Sequence, residues 1–199
     1  FGPGPFSTVM FHHGSTGDGT APSLFTVTYT SEAVAQFFVE RGWMVVFAQR
    51  RGRGTSDGLY DEGFTPTRSG YSCLQATKIA GFERALADVD AAVTWVRGRA
   101  EVDPTRLLSA GVSRGGVLAL THAAGRPGWF LGGVNFVGGW LGEGCADGPS
   151  VNRALFQRAG RFPASTTWMY GESDSFYSMA HSRGNFSVFT AAGGRGTFN

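Results

Sequence analysis

A serine lies between two glycines in the segment Gly111-Val112-Ser113-Arg114-Gly115, where one apolar run ends and the next begins. This pattern is typical of a strand that turns sharply into a helix. Glycines two residues before and after the serine let the backbone turn without a Cβ clash, so the Ser113 hydroxyl stands exposed above the sheet. The N–H of Arg114 then points toward the place where an oxyanion would form. The segment predicts a nucleophilic serine, although an idle serine in a glycine-rich turn gives the same pattern.

A second glycine-containing turn is predicted near the start of the chain. The apolar run Ser7–His12 continues into His13-Gly14-Ser15. A glycine beside a small residue allows a turn that presents a backbone N–H, and we expect the N–H of Ser15 to be the second oxyanion donor. The alternative is a glycine-rich turn whose histidines only pack or form hydrogen bonds.

Two carboxylates follow a late apolar run, in Tyr170-Gly-Glu-Ser-Asp174. A carboxylate after a strand suits the acid that orients a catalytic histidine. We favour Asp174 over Glu172, because Asp174 lies deeper in the loop and directly before the next predicted helix. The alternative role for Asp174 is to cap that helix.

Arginines are frequent in the loop that begins Arg50-Arg51-Gly52-Arg53-Gly54. The loop lacks the Lys-Ser/Thr pair of a phosphate-binding loop and does not lead directly into a helix. We interpret residues 51–76 as a structured rim in which Arg and Asp side chains brace neighbouring loops. Direct binding of substrate by Arg53 is the less favoured alternative.

Large apolar residues and both cysteines are predicted near the same edge of the sheet. Trp140, Leu141, Phe176 and Tyr177 are expected to line a pocket for an apolar or aromatic acyl group, or else to pack against loops. Cys73 and Cys145 fit no metal-binding spacing, so they form either one disulfide that fastens this rim or two buried thiols. The compartment stays open between the cytoplasm and export, and a disulfide would favour export.

Apolar runs alternate with amphipathic segments along the whole chain, which predicts a parallel sheet covered by helices. We expect one domain over residues 1–199, with a three-layer, doubly wound, mostly parallel α/β sheet. The predicted strands are Ser7–His12, Trp43–Ala48, Leu107–Val112, Gly132–Val137 and Thr166–Tyr170. The predicted helices are Ser31–Arg41, Thr77–Arg99, Gly115–Ala124, Asn152–Ala159 and Phe176–Ala192. Trp43–Ala48 is an unbroken apolar run, so we expect that strand to be buried on both faces.

Composition narrows the classes of partner. The net charge is +2, and the 17 basic residues are scattered along the chain, which argues against a nucleic-acid or membrane surface. No run of 18 apolar residues is present, as a transmembrane helix would require. Only one of the basic residues, Lys78, is a lysine.

The chain resembles the α/β-hydrolases, and within them the serine-bearing branch of the dienelactone-hydrolase-like and prolyl-oligopeptidase-like enzymes. The likeness rests on Phe11-His-His-Gly-Ser-Thr-Gly17, Gln49-Arg-Arg-Gly-Arg-Gly-Thr-Ser-Asp-Gly58, Gly111-Val-Ser-Arg-Gly-Gly116 and Tyr170-Gly-Glu-Ser-Asp174. The resemblance implies that Ser113 is the nucleophile, Asp174 the triad acid, and the N–H groups of Ser15 and Arg114 the oxyanion hole. Dienelactone hydrolase itself carries a cysteine at the elbow, so Ser113 counts against that activity.

The same resemblance implies a catalytic histidine after one further strand beyond the acid loop. None of the four histidines fits that role: His12 and His13 lie at the oxyanion turn, His122 follows the nucleophile, and His181 falls within a predicted helix. Residues 194–199 are interpreted as the approach to the missing strand. We therefore expect a chain that lacks the usual first strands and the last strand with the histidine loop. The base would lie about 10–20 residues beyond Asn199, and further chain or an oligomeric partner would cover the sheet edges.

These features predict a serine hydrolase that cleaves carboxylic esters or related acyl compounds through an acyl-enzyme on Ser113. The chemistry requires no metal or organic cofactor, and the partner is a small ester or acyl compound. Two alternatives stay open. One is a serine peptidase of prolyl-oligopeptidase type, and the other is an inert, truncated or degenerate hydrolase fold that binds a ligand without turnover.

Overall fold

The computed structural model describes residues 4–199, which form a six-stranded sheet with all strands parallel. The strands are β1 Phe6–His12, β2 Met44–Ala48, β3 Val102–Val112, β4 Gly132–Phe136, β5 Ser165–Met169 and β6 Arg195–Phe198, in the order β2-β1-β3-β4-β5-β6. In the register of β1 and β3, His12 pairs with Gly111, and Val112 of β3 pairs with Phe136 of β4. The carboxyl ends of these three central strands therefore meet at one edge of the sheet.

Helices cover the sheet unequally. They are α1 Glu32–Val39, α2 Gln75–Arg97, α3 Arg114–Gly125, α4 Gly148–Ala159 and α5 Met179–Ala191, with a short 3-10 turn at Pro22–Leu24. Met10 of β1 belongs to the larger core, which includes residues of helices α2 to α5, whereas Val9 and Phe11 belong to a smaller core beside α1. This alternation follows from the two-residue period of a strand. None of the helices among residues 4–199 has the length and apolar character of a membrane-spanning segment.

The predicted α/β architecture is confirmed, with two corrections. The apolar run at Trp43–Ala48 does not form a central strand: β2 lies at the edge of the sheet, and its five residues are half-buried. Residues 194–199 do not merely approach a last strand, because Arg195–Phe198 already pairs with β5 as β6. Backbone hydrogen bonds define that strand, and its exposed side chains carry no apolar pattern that would have predicted it.

The start of α5 also differs from the prediction. The helix begins at Met179 and not at Phe176, because Ser178 is its N-cap and accepts a hydrogen bond from the N–H of His181. The residues between β5 and α5 thus form a longer loop, which contributes to the edge of the sheet where β1, β3 and β4 end.

Candidate active site

Ser113 lies between β3 and α3 in a strained backbone conformation. Its φ of 53° and ψ of −122° fall outside the regions that non-glycine residues ordinarily adopt. Its N–H donates to the carbonyl of Phe136 at 2.9 Å, and its carbonyl accepts from the N–H of Gly139 at 3.2 Å. The end of β4 and the turn after it therefore hold the serine at the start of α3.

The glycines of the elbow permit close backbone contacts. A Cβ on Gly115 would lie 1.9 Å from the carbonyl oxygen of His12, and a Cβ on Gly111 would lie 2.3 Å from the carbonyl oxygen of Gly115. A Cβ on Gly14 would lie 3.1 Å from the Ser113 Cβ. The turn after β1 thus packs directly against the serine.

Two backbone N–H groups are free beside Ser113. Within the described part of the chain, the N–H of Ser15 and the N–H of Arg114 have no protein acceptor. Arg114 is the first residue of a twelve-residue helix, whose N-terminal end favours a developing negative charge. The two N–H groups that the sequence predicts as oxyanion donors are therefore not taken up by an acceptor among the described residues.

One cavity of about 680 Å³ brings the sequence-predicted residues together. Its lining includes Ser113, Asp174, Ser15, Arg114, Trp140, Leu141, Phe176, Tyr177, Cys73 and Cys145. Trp140 and Leu141 are buried, whereas half of the Phe176 surface is exposed. Arg53 is not part of this lining, because its guanidinium donates to the carbonyl of Leu24.

Asp174 shapes the loop before α5 and does not cap the helix. Its Oδ1 accepts from the N–H of Phe176 and from the N–H of Tyr177, each at 2.8 Å. These bonds turn the chain so that Asp174 and Tyr177 both face the cavity that contains Ser113.

Tyr177 lies against the serine. Its ring packs over Gly139, where a Cβ would lie 2.4 Å from the ring, and it stacks on His181 with centroids 5.8 Å apart. Burial raises the pKa of Tyr177 to about 12, although Arg114 and a hydrogen bond to the Ser113 side chain act in the opposite direction. The phenol therefore stays protonated beside the serine hydroxyl.

No histidine within residues 4–199 lines the cavity. The Nδ1 of His13 donates to the carbonyl of Gly14 at 2.7 Å, its Nε2 accepts from the N–H of Arg50, and burial beside Arg50 lowers its pKa to about 3. His12 is fully buried, and burial also lowers its pKa. His13 therefore supports the turn after β1, whereas the Nε2 of the buried His12 has no hydrogen-bond partner among the described residues.

The other two histidines have partners other than the serine. His122 contacts Asp90 at 3.0 Å, and His181 contacts Asn152 at 3.0 Å and Glu143 at 3.4 Å. Each ring thus braces a helix or a loop, and His181 lies on α5, within the helix that the sequence predicted for it.

A buried group of charges, which the sequence did not predict, lies behind the oxyanion turn. Glu62 pairs with Arg50 at 2.5 Å and with Arg114 at 3.3 Å, and all three side chains are almost fully buried. Arg50 also donates to the carbonyls of His13 and Gly14. Burial would raise the pKa of Glu62, but the two guanidinium groups lower it to about 2. Glu62 therefore joins the turn after β1 to the first residue of α3.

Lys78 also lies in the cavity wall, with no exposed surface. Its Nζ has no hydrogen-bond acceptor among the described residues and lies 4.3 Å from the centre of the Tyr71 ring. The sequence contained a signal for the burial of Lys78, because this residue falls in the same helical register as the buried residues Phe82, Ala85 and Val89 of α2.

The structure joins Cys73 and Cys145 in a disulfide, with Cα atoms 5.4 Å apart. Cys73 lies just before α2, and Cys145 lies just before α4. Both cysteines line the cavity, so the bond links two loops of its rim.

Comparisons with solved structures show the same fold at low sequence identity. Est1E from Butyrivibrio proteoclasticus, solved with ferulic acid bound, is 13% identical with a TM-score of 0.66, and the match covers 96% of this chain and 78% of that chain. Esterase Est2 from Thermogutta terrifontis, solved with butyrate bound, is 18% identical with a TM-score of 0.57 and coverages of 97% and 71%. Acylaminoacyl peptidase from Pyrococcus horikoshii is 15% identical with a TM-score of 0.61. That match covers 98% of this chain and 32% of the peptidase, so the chain spans about a third of the peptidase's length.

Sequence comparison identifies the family. No curated protein matches the chain. The pattern of the S15 peptidases, described as X-Pro dipeptidyl-peptidase, matches residues 5–129, which is more than half of the chain and includes the turn at Ser15 and the elbow at Ser113. Together with the six-stranded parallel sheet, this match shows that the chain belongs to the S15 peptidase family of the α/β-hydrolase superfamily.

Proposed function

We propose that this chain contains the nucleophile, the acid and the oxyanion hole of a serine hydrolase that cleaves small carboxylic esters. The observation that carries the proposal is the strained Ser113 elbow, which faces a cavity of about 680 Å³ between two free backbone N–H groups. A site of this volume suits a small molecule. A strained serine at such a position is typical of a nucleophile.

The proposed reaction has two steps. A general base takes the proton from the Ser113 Oγ as this oxygen bonds to the ester carbonyl carbon, and the N–H groups of Ser15 and Arg114 bind the resulting oxyanion. The base then gives the proton to the alcohol oxygen as the C–O bond breaks, which leaves an acyl-enzyme. Water, activated by the same base, releases the carboxylic acid and restores the serine.

Asp174 is proposed to orient the base. Because no histidine within residues 4–199 lines the cavity, we infer that the base is a histidine outside these residues. A serine without a base is a weak nucleophile, so this proposal expects ester cleavage to fall by several orders of magnitude when the base is absent.

A peptidase is the second candidate, because the family is described as X-Pro dipeptidyl-peptidase and the Pyrococcus horikoshii structure is an acylaminoacyl peptidase. The same acyl chemistry serves an amide if the base protonates the leaving amine. The cavity lining favours the ester, since buried apolar groups such as Trp140 and Leu141 form much of it.

A fluorophosphonate probe tests the nucleophile directly. We expect a single adduct on Ser113 by mass spectrometry, no adduct in Ser113→Ala, and normal labelling in Ser187→Ala, which changes an exposed serine on α5. p-Nitrophenyl esters and X-Pro-p-nitroanilides then separate esterase from peptidase. Unlabelled Ser113 in a folded protein whose mass exceeds 21.1 kDa would contradict the proposal and favour an inert binding fold. An adduct on a protein of 21.1 kDa would contradict a base outside these residues.

A further inference from the structure

Lys78, the only lysine of the chain, is fully buried in the wall of the cavity. The turn of α2 that carries it is fixed, because the indole N–H of Trp140 donates to the Lys78 carbonyl at 2.8 Å. The Nζ itself has no acceptor among the described residues. An ammonium group has three hydrogens to donate, so an unpaired amine at this position is unfavourable unless something else compensates it.

The charged groups near Lys78 already have partners. One oxygen of Glu62 accepts from Arg50, and the other accepts from Tyr60 and lies 3.3 Å from Arg114. Asp61 accepts from two backbone N–H groups and lies 3.9 Å from Arg68. None of these acidic groups bonds to Lys78.

The other charged residues in the cavity lining are also satisfied. The Arg114 guanidinium donates to the carbonyl of Trp140 and to Glu62 and lies 3.8 Å from the same Tyr71 ring that Lys78 contacts. Asp18 binds Thr20, and Asp174 binds the backbone of its own loop. Among the charged residues of this lining, Lys78 is thus the one whose side chain has no hydrogen-bond partner within residues 4–199.

The electrostatic surroundings favour an anion. Arg50 and Arg114 share the single carboxylate of Glu62, which leaves one positive charge in excess in the buried group. Burial and Arg114 lower the pKa of Lys78 to about 6, so the amine is largely neutral at pH 7 when no anion lies beside it. A carboxylate beside it would supply the missing acceptor and favour the protonated form.

We propose that Lys78 binds a carboxylate carried by the substrate, so that the preferred substrates are anionic esters. The flexible four-carbon stem of a lysine allows the amine to extend from the wall into the cavity. This proposal rests on the ester hydrolysis proposed above and adds a substrate class to it. The carboxylate could belong to the acyl part, as in a half-ester of a dicarboxylic acid, or to the alcohol part.

Kinetics of paired esters test this specificity. We would compare p-nitrophenyl hemiglutarate with p-nitrophenyl valerate, and 4-carboxyphenyl valerate with phenyl valerate, in the wild type and in Lys78→Met. The ratio of kcat/KM for the anionic ester to that for its neutral partner should fall about 10-fold or more in Lys78→Met for one of the two pairs, the loss expected for one charge-assisted hydrogen bond. The pair that responds identifies which part of the ester carries the carboxylate.

A matched variant is Arg84→Met, which removes a half-buried cation from the same helix, where the guanidinium donates to the carbonyl of Leu59. Its anionic-to-neutral ratio should stay within about 2-fold of the wild type, the scale of exposed electrostatic effects. Unchanged ratios in Lys78→Met for both pairs would overturn the proposal while leaving the esterase activity established.

A binding measurement separates this proposal from the catalytic one. Because Lys78 is the only lysine of residues 1–199, protein grown with lysine labelled with ¹³C at Cε gives one lysine signal from these residues by NMR, which is identified by its loss in Lys78→Met. Its pH titration with saturating glutarate should show a pKa raised by more than one unit, whereas butyramide, a neutral ligand, should leave it unchanged. This result would support the site even if Ser113 were inert. A Lys78 pKa that glutarate does not change would overturn it even if the esters are cleaved.

Discussion

The backbone of Ser113 is held in its conformation by contacts with neighbouring residues. Phe136 and Gly139 bond to its N–H and carbonyl, and Gly14 packs against its Cβ. A conformation of this kind costs about 1–3 kcal/mol, so it persists only where several neighbours determine it. A methyl group added at one of the glycines that allow these close contacts should therefore have a large effect on stability and on the reactivity of Ser113.

Substitution of Gly115 tests this view at the residue scale. Gly115→Ala would place a Cβ 1.9 Å from the His12 carbonyl oxygen, a backbone atom that cannot turn aside. We expect the free energy of unfolding to fall by at least about 2 kcal/mol and fluorophosphonate labelling of Ser113 to slow markedly. Urea denaturation and the labelling rate are the measurements.

Gly125→Ala is the matched control, since Gly125 ends the same helix and a Cβ there would meet nothing within 4 Å. It should leave stability unchanged or raise it by up to about 1 kcal/mol, because alanine restricts the unfolded chain. Equal effects of the two substitutions would show that the close approach of β1 and α3 is not what the glycine provides.

The buried amine of Lys78 should lower the free energy of unfolding near neutral pH. Its folded pKa of about 6 lies below the ordinary value of 10.5, so between these values the unfolded chain binds a proton that the folded chain does not. The free energy of unfolding therefore rises with pH across that window. Lys78→Met removes this penalty and should be more stable than the wild type at pH 7 by about 1 kcal/mol or more.

Guanidinium denaturation at pH 7 and at pH 9.5 measures this difference. The advantage of the Met side chain should shrink at the higher pH, because the unfolded lysine then begins to lose its proton. If the difference in free energy of unfolding between Lys78→Met and the wild type stays constant with pH, packing and not ionisation is its cause.

At the scale of elements, Glu62 connects two parts of the site that are far apart in the sequence. Through Arg50 it reaches the carbonyls of the turn after β1, and through Arg114 it reaches the first residue of α3. Those two segments supply the two proposed oxyanion donors. Loss of one charge would therefore loosen the spacing of the donors without touching the substrate.

Glu62→Gln tests this coupling. We expect kcat for a neutral ester to fall about 10-fold or more with KM within about 3-fold, since a misplaced oxyanion donor affects mainly the transition state. The free energy of unfolding should fall by about 3 kcal/mol, because two buried guanidinium groups lose their counter-charge. A rise in KM with an unchanged kcat would contradict the positioning role.

The pH dependence and a control variant separate this role from a general loss of stability. The folded pKa of Glu62 is about 2, below the ordinary value of 4.5, so its stabilisation is present above pH 4.5 and is lost as the pH falls toward 2. Glu62→Gln should lack the part of the free energy of unfolding that the wild type loses between pH 4.5 and pH 2. Glu83→Gln breaks an exposed ion pair with Arg158 and should change stability by less than about 1 kcal/mol.

The sequence predicted those elements whose formation depends on residues nearby in the chain. The elbow follows from two glycines around Ser113, and α2 follows from apolar residues at helical spacing. The edge position of β2 could not be read from its apolar run, because burial of a strand depends on which strand lies beside it. The strand β6 had no apolar pattern at all and is defined by its backbone pairing with β5.

The buried charges depend on the whole molecule in the same way. Arg50, Glu62 and Lys78 are each polar residues in or beside a loop, and a loop rich in glycine and arginine predicts a surface. They are buried because residues 51–74 fold back over the end of the sheet and Tyr60 and Phe64 pack there. Only the tertiary contacts pair Arg50 with Glu62 and bury Lys78, although the helical register of Lys78 was a signal that could have been used.

At the scale of the whole molecule, the disulfide closes a long loop. Cys73 and Cys145 are 72 residues apart in the sequence, and β3 and α3 with the nucleophile elbow lie between them. Closing a loop of this length restricts the unfolded chain and is worth about 4 kcal/mol by chain entropy, with a typical measured range of about 2–4 kcal/mol. The bond also holds the two cavity loops that precede α2 and α4.

Reduction of this bond should therefore affect both stability and the cavity. We expect TCEP to lower the free energy of unfolding by about 2–4 kcal/mol and to slow the labelling of Ser113 under conditions where the protein stays folded. Denaturation curves with and without TCEP measure the first effect, and a time course with the fluorophosphonate probe measures the second. Cys73→Ser/Cys145→Ser should match the reduced wild type and should not respond to TCEP. Two free thiols in the untreated protein, or a denaturation midpoint that TCEP does not move, would contradict the structural role. A lower stability with an unchanged labelling rate would confine the role of the bond to the fold, because the rim would then keep its shape without the covalent link.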